Sequence, residues 1–84
     1  MTEELYRQVV EVTEEYLGPA APRFVARQIS FHLNKLPHEL RPEDLPKLIE
    51  WARATLGLLT EDRQLVAEYA HKLSQLARTK SWQS

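Results

Sequence analysis

Apolar residues recur along most of this chain at the spacing of amphipathic helices. In the first segment they fall at positions i, i+4, i+7 and i+11: Leu5, Val9, Val12 and Tyr16. Glutamates occupy the opposite side of the same segment. Gly18 and Pro19 end the pattern, because glycine readily adopts the left-handed conformation of a helix C-terminus and proline cannot continue a helix. We therefore predict a first helix that ends at a left-handed Gly18.

The stretch GPAAP, residues 18–22, indicates a tight joint between two helices, because its alanines are small and Pro22 suits a first helical turn. The second helix is predicted from Pro22 to Leu36. Its inward positions are Phe24, Val25, Ile29, Leu33 and Leu36. A proline-punctuated loop follows, LPHELRPEDLP, in which Leu40 and Leu45 are expected to anchor the chain to the core.

The third helix is predicted from Leu45 to Leu58, with Asp44 as its N-cap and Pro46 in its first turn. Trp51 lies at the border of its apolar face. That face consists of Leu48, Ile49, Ala52, Leu56 and Leu59.

The fourth helix is predicted to begin after Thr60, a favourable N-cap, with Glu61 and Asp62 complementing the helix dipole. Its apolar stripe is the clearest in the chain: Leu65, Val66, Tyr69, Leu73 and Leu76. Residues 81–84 are predicted to be a polar tail that includes Trp82. The sequence thus predicts an all-α, compact four-helix bundle-like domain over residues 1–80, with a Pro-rich loop between the second and third helices.

The composition limits the classes of protein to which the chain can belong. Its 84 residues are 43% hydrophobic, so we expect one core and no separate catalytic domain. The chain has no cysteine, which excludes disulfides, zinc–thiolate sites and thiol nucleophiles. Its net charge of −1 disfavours nucleic acid as a partner. No long apolar run is present, so we expect no signal peptide or membrane span and a cytoplasmic location.

Catalytic and metal-binding patterns have little support in the sequence. The serines lie in no nucleophile elbow, and two glycines do not make a glycine-rich phosphate loop. His32 and His38 lie near Glu39 and Asp44, but their spacing matches no metal-ligand pattern. We expect His32 to be a boundary residue that bonds a backbone carbonyl. We therefore predict neither an enzyme nor a bound metal or cofactor, and we infer no small-molecule substrate.

A polar face follows the second helix at positions i, i+4, i+7 and i+11: Arg23, Arg27, Ser30 and Asn34. Arginine and asparagine are the residues that read guanine and adenine edges, so this face is compatible with a recognition helix. The same arginines are compatible with a bound phosphate or carboxylate, with an acidic protein partner, or with no partner beyond the glutamates of the first helix and solvent. These alternatives stay open at this stage.

Several aromatic residues fall at the edge of a predicted apolar stripe or outside one: Tyr6, Phe31, Trp51 and Trp82. Aromatic side chains at such positions are enriched in protein–protein contacts, although a wide core would also use them. The candidate partner-binding residues are Arg23, Arg27, Phe31, Asn34, Trp51 and Trp82.

The fourth helix carries a second apolar row beside the first, formed by Val66, Ala70 and Ala77. A helix that is apolar over two adjoining rows is usually covered from two directions. The second cover is either the first helix of the same chain or the same helix of a second copy. We expect the second copy, which would make the protein a homodimer, or a heteromeric contact on the same surface.

The stretch YLGPAAPRFVARQ resembles a GP-x-A-x-x-x-[VL]-x-R signature of small helical modules attached to, or encoded beside, bacterial and archaeal signalling proteins. Those proteins include kinases, response regulators and roadblock-type regulators. The later stretch HELRPEDLPKLIEWA is similar to the loop and third helix of stand-alone modules of this kind. The resemblance spans about Tyr16 to Leu76 and implies a regulatory or adaptor role without enzymatic residues.

We therefore expect a non-enzymatic protein-interaction or regulatory module of a prokaryotic cytoplasm. An aromatic-rimmed apolar helix face would dock another protein or a second copy, and the basic face of the second helix would set the orientation. Two alternatives remain. One is a helix-turn-helix-type nucleic-acid-binding protein that uses the second helix, and the other is a helical homodimer of structural role.

Overall fold

The computed structural model describes the backbone of residues 3–83 and the side chains of residues 4–78. Its α-helices are α1 (Glu3–Leu17), α2 (Ala21–Gln28), α3 (Leu45–Leu59) and α4 (Arg63–Gln83). A π-helical segment, Ile29–Leu33, extends α2, and single 3₁₀ turns at Gly18–Ala20, Pro37–Glu39 and Pro42–Asp44 lie in the connections. No β-strand occurs in the described part of the chain, so the predicted all-α class is confirmed.

The helices contact one another in a closed ring around one core. Helix α1 packs against α2 and α4, and α3 packs against α4 and α2. The fully buried large side chains are Val9, Val25, Ile29, Leu45, Leu48, Leu56, Tyr69 and Leu73. The radius of gyration is 11.8 Å, which agrees with about 12 Å for a compact domain of this length. Helix α4 is covered by α1 on one side and by α3 on the other. A second copy of the chain is therefore not needed to cover its two apolar rows.

The joint between α1 and α2 has the predicted geometry. Gly18 adopts the left-handed conformation, with φ of +61°, and Pro22 lies in the first turn of α2. A side chain is strained at this backbone conformation, and glycine avoids that strain because it has no Cβ. The prediction for Gly18 is confirmed.

The helical segment begun by α2 ends earlier than predicted. Asn34 adopts the left-handed conformation, with φ of 58° and ψ of 39°, and stops the helix after Leu33. Leu36 is extended, with φ of −85° and ψ of 156°, and is 57% exposed. Its predicted inward position is therefore wrong. The cause is Pro37, because a proline disfavours the helical conformation of the residue before it.

The Pro-rich loop between α2 and α3 is tied down from inside. Leu40 and Leu45 are buried, as predicted. The carboxylate of Asp44 accepts the backbone N–H of Arg41 at 3.0 Å and pairs with Lys35 Nζ at 2.7 Å. Asp44 directly precedes α3, but its side chain bonds no amide of that helix. The predicted N-cap position of Asp44 is confirmed, but its side chain makes no capping hydrogen bond, because its carboxylate bonds Lys35 and the Arg41 amide of the loop instead.

The turn between α3 and α4 shows that the N-cap predicted for α4 is wrong. Thr60 is extended and ends α3, while its hydroxyl accepts the N–H of Asp62 at 3.2 Å. Asp62 Oδ1 accepts the N–H of Leu65 at 3.1 Å, so Asp62 rather than Thr60 caps α4. The predicted inward position of Leu59 is wrong: its side chain is 63% exposed, because the helix ends there. Helix α4 itself continues through residues 81–83, which were predicted to be a tail.

A buried polar pair joins α1 to α4. Thr13 Oγ1 donates to the carbonyl of Val9 at 2.8 Å and lies 2.8 Å from Tyr69 Oη. A threonine hydroxyl has a single proton, so Tyr69 must be the donor in the second bond. The ring of Tyr16 packs edge-on against Tyr69, with centroids 5.3 Å apart. Burial raises the pKa of Tyr69 to about 12, which keeps this hydroxyl protonated.

Candidate protein-binding surface

Helices α2 and α3 meet along a seam with two polar or aromatic contacts. Thr55 Oγ1 donates to Gln28 Oε1 at 3.2 Å. One turn further along the α2 direction, the ring of His32 stacks on Trp51, with centroids 3.9 Å apart and planes at 5°. Because residue numbers rise on one helix as they fall on the other, this seam is antiparallel.

An exposed aromatic residue stands beside the stacked pair. Phe31 precedes His32 in the chain and is 70% exposed. The guanidinium of Arg27 lies 5.7 Å from the centroid of its ring, a cation–π geometry. Trp51 is 40% exposed although one face of its ring is covered by His32. The predicted residues Arg27 and Phe31 thus contact each other, and they are linked to Trp51 through His32, which follows Phe31 in the chain and stacks on Trp51.

The π-helical segment changes the predicted polar face. The N–H of Asn34 bonds the carbonyl of Ile29, which closes a turn with one more residue than an α-helical turn. The extra residue moves Asn34 out of the row formed by Arg23 and Arg27, and its left-handed conformation takes it off the helix altogether. Arg23, Arg27 and Asn34 therefore do not share one continuous helical face. The recognition-helix alternative loses one of its three residues.

Helix α3 carries a second apolar row that faces outward. Its inward residues include Leu48, Ala52 and Leu56. Trp51 and Leu58, two turns apart, lie on a different row, and Leu58 is 87% exposed. A helix with apolar rows on two sides needs cover on both, and within the described residues the outer row is covered only in part, by His32 on one face of Trp51.

Basic side chains border this surface. Arg23 precedes Arg27 by one turn on α2, and Lys47 precedes Trp51 by one turn on α3. All three basic residues are exposed, and no ion pair in the described part of the chain involves them. We name the set Arg27, Phe31, His32, Trp51 and Leu58 the aromatic face. It combines exposed apolar area with positive charge.

The other three candidates do not belong to this named set, and of these Arg23 borders it. Asn34 is exposed at the end of the π-helical segment, and the side chain of Trp82 lies outside the described residues. The role of His32 was missed, since it stacks on Trp51 instead of bonding a carbonyl. The only available signal was its place on the apolar side of the second helix, which does not name a partner 19 positions later.

The described residues form neither a metal-binding group nor a membrane-spanning helix. Among the described side chains, no group of three His, Cys, Asp or Glu residues is placed to hold a metal ion. None of the described helices combines the length and apolar character needed to cross a bilayer.

Comparison with protein-family models, curated proteins and solved structures gives no match to this chain.

Proposed function

We propose that this chain is a non-enzymatic protein-interaction module, with a bundle-like arrangement of four helices as its scaffold, in a prokaryotic cytoplasm. It binds an acidic protein partner through the aromatic face. The observation that carries the proposal is Phe31, which is 70% exposed beneath Arg27 and next to the stacked pair of His32 and Trp51. The resemblance to modules of prokaryotic signalling proteins supports a regulatory or adaptor role.

The energy of such a contact comes from a few anchors. Burying a phenylalanine or leucine side chain stabilises by about 1.5–3 kcal/mol, so Phe31, Trp51 and Leu58 together supply several kcal/mol. The stack on His32 holds the Trp51 ring in place before a partner arrives, which lowers the entropy cost of binding. Tryptophan, tyrosine and arginine side chains are enriched among the residues that dominate binding at protein interfaces.

Charge favours an acidic partner over a second copy. A two-fold symmetric contact brings each side chain near the same surface of the other copy. Arg23, Arg27 and Lys47 would then approach their own equivalents, and like charges placed together oppose association. A partner with Asp or Glu beside its apolar residues meets no such repulsion. We therefore expect a monomer of 9.8 kDa by light scattering at micromolar concentration.

The proposal is tested by capture of partners from the native lysate. Phe31→Ser should lose the protein that the unaltered chain captures, since it removes the exposed anchor and leaves the core intact. Leu59→Ser is the matched control, because Leu59 is also exposed but lies off the row of Trp51 and Leu58. Equal capture by both variants would refute the aromatic face as the binding surface. A dimeric mass that Phe31→Ser abolishes would replace the acidic partner by a second copy.

The nucleic-acid alternative has a separate test. We expect no duplex binding tighter than the non-specific range of roughly 10⁻⁴ to 10⁻⁶ M at physiological salt. A sequence-selective gel shift at nanomolar protein that Arg27→Ala abolishes would make that alternative the better one.

A further inference from the structure

A cleft of about 600 Å³ lies between the second half of α3 and the first turns of α4. Its lining includes Arg53, Gly57, Thr60, Glu61, Arg63 and Val66. This volume falls within the range of sites that hold small molecules. None of these residues belongs to the aromatic face.

Gly57 in the lining of the cleft has no structural explanation within the chain. It lies inside α3 with an ordinary helical backbone, where glycine is less favourable than any residue except proline. A Cβ built on Gly57 meets no described atom within 4 Å. No neighbouring group therefore excludes alanine, which would strengthen the helix. What the missing side chain provides is open space above the backbone, inside the cleft.

Two arginines from different helices give the cleft its charge. Arg53 comes from α3 and Arg63 from α4, and no ion pair among the described residues involves either of them. Guanidinium groups bind carboxylates through paired hydrogen bonds. Thr60 Oγ1 accepts the N–H of Asp62, so its own proton is free to be donated to a ligand. Glu61 offsets one of the two positive charges, which favours a ligand with one negative charge over a dianion.

We propose that this cleft binds a small organic monocarboxylate with an apolar body. The carboxylate lies between Arg53 and Arg63, and the apolar body lies over Gly57 against Val66. The site is independent of the aromatic face, and it adds a ligand to a chain whose sequence indicates none.

The two glycines of the chain allow a direct test. Labelling with ¹⁵N-glycine gives two backbone signals, Gly57 in the cleft and Gly18 outside its lining. Isovalerate, added at up to about 50 mM, should shift the Gly57 signal in a saturable way and leave Gly18 unchanged. Isovaleramide has the same apolar body without the charge and should shift neither signal. Inorganic phosphate should shift Gly57 less than isovalerate at equal concentration.

Three results would overturn the proposal. The first is a Gly57 signal that isovalerate does not move. The second is an equal response to isovaleramide, which would remove the role of the arginines. The third is an equal or larger response to phosphate, which would show a general anion site without selection for an apolar body.

Variants separate binding from folding. Arg63→Gln should weaken the isovalerate response at least about tenfold, whereas Arg7→Gln, which removes an exposed arginine outside the cleft, should leave it unchanged. Gly57→Ala should raise the midpoint of thermal unfolding by about 3–8 °C, because alanine is the better helix former. The same variant should weaken binding several-fold, as followed at the Val66 amide. A Gly57→Ala protein that binds isovalerate as well as the unaltered chain would show that the open space serves no ligand.

Discussion

The hydrogen bond between Thr13 and Tyr69 offers the sharpest quantitative test of the fold. Both side chains are fully buried, and the bond joins α1 to α4 across the core. Tyr69→Phe removes the donor but leaves Thr13 bonded to the Val9 carbonyl, so the cost should be about 1 kcal/mol. Thr13→Val removes the acceptor and leaves a buried hydroxyl with no partner. This variant should lower the free energy of unfolding by about 1–3 kcal/mol, because the tyrosine hydroxyl loses its hydrogen bonds to water on folding and forms none inside the protein.

The double variant distinguishes a direct bond from two separate packing effects. With both hydroxyls gone, no buried polar atom of this pair is left unsatisfied, so the combined cost should fall below the sum of the single costs by about 1 kcal/mol or more. Urea unfolding followed by circular dichroism measures these differences, since a domain of this size has a stability of roughly 4–13 kcal/mol. Tyr6→Phe is the control, because its hydroxyl bonds the Pro22 carbonyl at an exposed position and should cost less than about 0.5 kcal/mol. Costs that add within about 0.3 kcal/mol would refute the direct bond.

The raised pKa of Tyr69 adds a pH dependence with a definite sign. The ordinary value is 10.0, and burial raises the pKa in the folded protein to about 12. Above pH 10 the unfolded chain loses this proton first, so stability is full below pH 10 and falls as the pH rises to 12, by up to about 3 kcal/mol. Tyr69→Phe should lack this part of the decline. Lys72, whose pKa is raised by its hydrogen bond to Glu15, titrates in both proteins and cancels in the comparison.

Three further predictions concern helix ends and the loop, each checked by thermal unfolding. Gly18→Ala should destabilise by on the order of 1 kcal/mol or more, because a side chain is strained at φ of +61°, and an unchanged midpoint would contradict this. Asp62→Ala should cost about 1 kcal/mol and Thr60→Ala less, since Asp62 is the cap of α4, and the reverse order would restore the sequence-based assignment. Asp44→Ala should cost about 1–2 kcal/mol, because two bonds of the Pro-rich loop are lost together, and a loss under 0.3 kcal/mol would mean that the loop is held by its buried leucines alone.

The sequence predicts helices better than it predicts their ends. Stripes such as Leu48, Ala52 and Leu56 repeat over several turns, so one exception does not hide the period. An end depends on a single residue, and several residues near it are chemically suitable. Thr60 and Asp62 are both favourable N-cap residues, and which of them caps α4 depends on the residue at which α3 ends. Asn34 adopts a left-handed conformation that ends the helix. A polar side chain is equally suited to an exposed position on a longer helix, so the sequence alone does not predict this end.

The aromatic face was only partly predictable for a related reason. Phe31 and Trp51 stand out because each falls off an apolar stripe, which is a local property of the sequence. The stack of His32 on Trp51 joins two segments across a loop, and no local pattern encodes that contact. The π-helical segment adds one residue to a turn, and a shift of this size cannot be read from the spacing of Val25, Ile29 and Leu33.

The two hydrogen bonds of the Asp44 carboxylate have a consequence for the speed with which a partner associates. By holding Lys35 and the Arg41 amide at once, this carboxylate fixes the connection between the two helices that form the aromatic face. A surface that needs no rearrangement before contact should bind in one kinetic step, with an observed rate that rises linearly with partner concentration and reaches no plateau. Steering by the exposed arginines then sets the association rate constant, so added salt should slow the arrival of an acidic partner far more than it hastens its departure.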